Sequence, residues 1–122
     1  MMADAQNRKR SREYRERIAL ALRAEGIETA QPVPLANRMS DAFRPPHGHV
    51  VGVEGVSILT STSYEIRPGE LLDRAERAAQ DDQNPLGVAV QFRAARPAED
   101  QFAIMSLRTL ATLLRDRLEA RS

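Results

Sequence analysis

The chain has 122 residues, 42% hydrophobic and 4% aromatic, with no cysteine, no tryptophan and a net charge of +1. That length predicts one domain with one ordinary core, built from Leu, Val, Ile and Ala. The lack of cysteine excludes disulfides and thiolate chemistry, and no run approaches the ~18 apolar residues of a membrane span. A soluble, cytoplasmic protein with no membrane association is expected.

Charge is unevenly spread. Residues 1–24 hold seven basic and three acidic side chains, while residues 25–122 hold eleven and fourteen. Seventeen of the eighteen basic residues are arginine, whose planar fork fits phosphate.

In chain order, residues 1–10 read as a basic flexible arm ahead of a single domain over 11–122. Ser11 is a plausible N-cap for a helix running to about Glu25, with Tyr14, Ile18, Ala21 and Leu22 at core-facing spacing. Gly26 suits its C-terminal end. Residues 27–35 hold Pro32 and Pro34 and read as extended chain or loop. Residues 37–48, punctuated by Pro45-Pro46, read as loop. Val50–Val53 and Val56–Thr60 are short strands with Gly55 in the turn between them. A second amphipathic helix spans Gly69 to about Asp82 and stops at Asn84-Pro85. Leu86–Phe92 is the best strand and a central one. Phe102–Met105 is a further short strand, and Ser106 caps a last helix rich in leucine. The order α-β-β-α-β-β-α predicts an α/β fold: a small mixed sheet of about four strands flanked by helices.

This order, with these residues, resembles the restriction-endonuclease-like, PD-(D/E)xK nuclease fold. More narrowly it is similar to the small Holliday-junction-resolvase-like proteins of actinobacterial phages. In those proteins a helix supplies a glutamate, here Glu16 in Tyr14-Arg15-Glu16-Arg17-Ile18. A segment Gly-Asp-Ile-x-Gly follows, here Gly48-His49-Val50-Val51-Gly52. A strand ending in Glu-Val-Lys comes next, here Ile58-Leu59-Thr60-Ser61. The resemblance covers about residues 10 to 115. It implies that Glu16, His49, Leu59 and Ser61 meet at one end of the sheet.

The departures decide the chemistry expected there. In the family the aspartate and glutamate bind a divalent metal, and the lysine serves the attacking water. Here His49, Leu59 and Ser61 occupy those positions. Leucine offers no ligand, and serine no positive charge. No catalytic residues, no metal and no cofactor are therefore expected, and the protein reads as a catalytically inactive nuclease-like one. Asp41 or Glu65 could join Glu16 in a relocated metal site, which keeps an active nuclease as an alternative, while Glu54 sits in the turn. His47 and His49 lack a convincing third ligand for zinc.

Two further functions are compatible with such a scaffold. One is DNA binding without cleavage, on possibly branched DNA, through Arg8, Lys9, Arg10, Arg12, Arg15 and Arg17, with Arg38 and Arg44 extending the patch. The other is a protein-binding regulator or inhibitor acting on a host protein. Leu107, Leu110, Leu114 and Leu118 read as core first and dimer interface second. A homodimer is the expected assembly.

Overall fold

The computed structural model describes residues 2–33 and 48–121. Three helices and five strands follow in the order α1 (Met2–Ala24), β1 (Gln31–Pro32), β2 (Val50–Val51), β3 (Val56–Ser61), α2 (Pro68–Asp81), β4 (Leu86–Gln91), β5 (Phe102–Ile104) and α3 (Leu107–Arg121). A single 3-10 turn at Ala98–Asp100 precedes β5. The strands lie in the order β1-β2-β3-β4-β5. Among the described strands only β3 and β4 pair in parallel, with Ile58 opposite Val88 and Ser61 opposite Gln91. The other pairs are antiparallel. A parallel pair needs a crossover, and α2 supplies it. The result is an α/β domain with the restriction-endonuclease-like topology.

α1 begins well before Ser11, so Arg8, Lys9 and Arg10 stand on the helix and not in an arm ahead of it. Residues 2–10 contain no glycine or proline and are rich in good helix formers, so nothing stops the helix at Ser11. Its C-terminal end behaves as expected. Gly26 takes φ +100°, its N–H reaches the Arg23 carbonyl at 3.0 Å, and the Ile27 N–H reaches the Leu22 carbonyl at 2.9 Å. Those two bonds define a Schellman end.

The fifth strand is β1, which lies where extended chain or loop was expected. Its proline is tolerated because β1 is an edge. Gly52, at φ +90°, lets the chain pass close to Thr29; a Cβ there would fall 1.8 Å from the Thr29 carbonyl oxygen.

The sheet separates two small cores. On one face Tyr14, Ile18 and Ala19 of α1 pack with Ala30, Val50 and Ile58. On the other Leu71, Ala75 and Ala78 of α2 pack with Leu59 and Ala89. Neighbouring β3 residues thus serve opposite faces, as the period of two requires. α2 rests directly on β4, since a Cβ at Gly87 would stand 2.5 Å from the Ala75 carbonyl oxygen.

α2 also ends in a Schellman pattern, with the Asn84 N–H on the Ala79 carbonyl and the Gln83 N–H on the Gln80 carbonyl. Here the left-handed position falls on Gln83, at φ 60°, where a side chain is disfavoured. Gln83→Gly is expected to raise stability by about 1 kcal/mol, read as a higher urea midpoint at constant m.

α3 departs from expectation. Ser106 caps it, its Oγ accepting the Thr109 N–H at 3.1 Å. Yet Leu107, Leu110, Leu114 and Leu118 are 81%, 40%, 51% and 67% exposed, so they are not core. Thr109 is the buried residue of this helix. The leucine spacing was read correctly as one side of a helix; which surface that side meets depends on where the helix leaves the sheet.

Candidate functional site

The C-terminal ends of β3 and β4 meet the N-terminal end of α2 and the middle of α1. His49, just before β2, comes to the same place. Its side chain substitutes for a strand: Nδ1 accepts the Thr60 N–H at 2.8 Å and lies 3.0 Å from the Thr60 hydroxyl. That fixes the proton on Nε2, so neither ring nitrogen has a lone pair left over. Burial, with the Arg15 guanidinium behind it and Arg74 beyond, pushes the His49 pKa down to about 4. The imidazole is neutral near pH 7 and does structural work.

Leu59 is buried among Leu71, Ala75, Ala78 and Ala89, and belongs to the α2 core. Ser61 is half-buried and lines a shallow cleft of about 250 Å³ with Ser63, Arg67, Arg74 and Gln91. Glu16 is exposed. It lies about 200° around the helix from buried Tyr14, on the solvent side. The structure therefore brings His49 and Ser61 to one end of the sheet beside Thr60, turns Leu59 into the core there, and leaves Glu16 outside the cluster. Asp41, His47, Arg38 and Arg44 lie outside the described residues. Glu65 is held by Arg67 at 3.0 Å, and Glu54 is exposed. Among the described residues no group of three His, Asp or Glu side chains is placed to hold a metal ion.

Gln91 was not singled out from the sequence. It is fully buried at the end of β4, and its Nε2 donates to the Ser63 carbonyl at 2.5 Å. Its Oε1 has no partner, so it would accept a hydrogen bond from water or a bound group. A polar residue closing the apolar run Val88-Ala89-Val90 is the signal that marks it.

The arginines divide by role. Arg10 donates to the Thr62 carbonyl at 2.8 Å, and its guanidinium lies 4.4 Å from the centre of the Tyr64 ring and 5.3 Å from that of Phe92. Arg15 donates to the Val33 carbonyl at 2.9 Å, while its buried Nε has no partner. Burial lowers its pKa from the ordinary arginine value. Lys9 stands 4.0 Å from Glu13. Arg8, Arg12 and Arg17 are exposed. Arg8, Arg12 and Arg15 recur at i, i+4 and i+7, so they share one flank of α1.

Comparison with family models, with curated proteins and with solved structures finds no match for this chain. Among the described residues no helix is long and apolar enough to cross a membrane.

Proposed function

We propose that this domain binds the phosphate backbone of DNA without cutting it. On this reading it is a nuclease-like protein of phage type whose metal-binding positions now serve packing. The observation that supports it is the arginine row on α1. Arg8 and Arg12 offer exposed guanidinium groups on the same flank as the half-buried Arg15. Guanidinium groups in a row suit successive phosphates, and such contacts carry affinity without reading sequence. With His49 and Leu59 at the positions that the resemblance gives to carboxylates, no negative charge stands there to repel the backbone. The resemblance to junction resolvases makes branched DNA the first ligand to try.

The test is a gel-shift titration on branched, duplex and single-stranded DNA at several salt concentrations, with Mg²⁺ in parallel lanes. Salt-sensitive binding of intact DNA is expected, with a log–log salt slope of about −3 for three phosphate contacts. Changing Arg8 and Arg12 together to alanine should flatten that slope to about −1 and weaken binding roughly twentyfold on every sequence. Cut product in the Mg²⁺ lanes would replace this reading with an active nuclease. No shift at any salt would turn attention to a host-protein partner.

A further inference from the structure

Aromatic side chains are scarce in this chain, two tyrosines and three phenylalanines in 122 residues. Three of them join in one stack just beyond the ends of β3 and β4. Tyr14 meets Phe92 edge to face at 6.0 Å, and Phe92 meets Tyr64 in the same way at 5.6 Å. The stack runs from a buried ring into solvent, with Tyr14 3% exposed and Tyr64 75%. A lone exposed ring needs no explanation, but Tyr64 is held in place. The Arg10 guanidinium lies 4.4 Å from its ring centre and 5.3 Å from that of Phe92, and is itself anchored on the Thr62 carbonyl. Arg10, Phe92 and Tyr64 thus form a compact triangle, so Arg10 and Phe92 sit to the same side of Tyr64 and its other side meets water. The surroundings are basic. Exposed Arg17 shares the flank of α1 that carries Arg10 and Tyr14, near enough for its charge to act on the Tyr14 hydroxyl. The neighbouring acid, Glu65, is paired with Arg67 at 3.0 Å.

We propose that the open side of Tyr64 is a stacking site for an unpaired base of single-stranded DNA, with Arg17 on a phosphate of the same strand. A ring already fixed against a cation and a second ring loses little freedom when a base settles on it. Stacking of this kind accepts any base, and arginine beside it complements the backbone charge. Closed duplex keeps its bases inside the helix and offers Tyr64 nothing to stack. The site therefore selects strands with unpaired bases. Arg10 is two positions from both Arg8 and Arg12, about 200° around α1, so the stack lies on the other flank from the arginine row. This inference rests on the DNA reading and adds a second contact to it.

Fluorescence anisotropy with a labelled single strand and a blunt duplex of equal length tests it, on the full chain at low salt. Tyr64→Ala should weaken single-strand binding about tenfold and leave duplex binding unchanged, while Tyr64→Phe keeps both. Tyr64 is largely exposed, so the circular dichroism signal of each variant should match the wild type. Tyrosine emission gives a second readout, because the chain has no tryptophan and Tyr14 is buried. Saturating single strand should quench that emission in the wild type and not in Tyr64→Phe. Equal loss on both ligands overturns the proposal, and so does no loss on either. A wild type that binds no DNA overturns both this proposal and the reading beneath it. Single-strand binding that falls with Tyr64→Ala but not with Arg8→Ala and Arg12→Ala together upholds the stack and removes the arginine row from the contact.

Discussion

Stability is expected to fall by about 3 kcal/mol between pH 6.5 and pH 4 through His49 alone. The cause is the depressed pKa of about 4 in the folded chain. The unfolded chain takes up this proton near the ordinary value of 6.5, so acid favours unfolding. Above pH 6.5 both states are neutral at this ring and the contribution to stability is fully present. It is lost progressively as pH falls through the folded pKa. The structural reason is plain. Protonating Nδ1 would break its bond with the Thr60 N–H and set a cation among buried groups facing Arg15 from α1 and Arg74 from α2. His49→Asn keeps an acceptor for that N–H and does not titrate. Urea unfolding at pH 7, 5.5 and 4 should show a steep acid loss in the wild type and a shallower one in His49→Asn. Parallel pH profiles would mean that His49 stays exposed to water and titrates normally.

Gly87→Ala is expected to destabilise the domain by about 3 kcal/mol. The sign is the informative part, since alanine replacing glycine within a strand ordinarily helps. Here the new Cβ would lie 2.5 Å from the Ala75 carbonyl oxygen, 2.8 Å from its carbon and 2.9 Å from the Glu76 Cα. All three are backbone atoms of α2, so no side chain can rotate away. The whole helix must lift off β4, which disturbs the packing of Leu71, Ala75 and Ala78 on Leu59 and Ala89. A lower urea midpoint with an unchanged slope is the expected measurement. A neutral or stabilising result would mean that α2 sits further from the sheet.

Element type was written locally and element role was not. Val56 to Ser61 and Leu86 to Gln91 read as strands because β-branched and apolar residues run unbroken between turn residues. α2 was legible from its apolar spacing, and Gly26 from the φ only glycine takes readily. The start of α1 was misplaced, because Ser11 has the chemistry of a cap and also sits passively inside a longer helix. β1 was missed as a strand since two residues, one of them proline, carry no periodicity; its pairing with Val50 and Val51 is a long-range event.

The site divides the same way. The sequence by itself determined that His49, Leu59 and Ser61 supply neither carboxylate nor lysine, and that α1 is rich in arginine, because residue identity is all those statements need. Tertiary structure decided what each residue does. It placed His49 against the Thr60 N–H, sank Leu59 into the α2 core and turned Glu16 to solvent. It also committed Arg10 to Tyr64 and the Thr62 carbonyl while leaving Arg8 and Arg12 exposed. The leucines of α3 show the difference most directly. Their spacing fixes one apolar side of a helix, but whether that side faces a core or a surface depends on the path of the chain after β5, and no local pattern encodes that path.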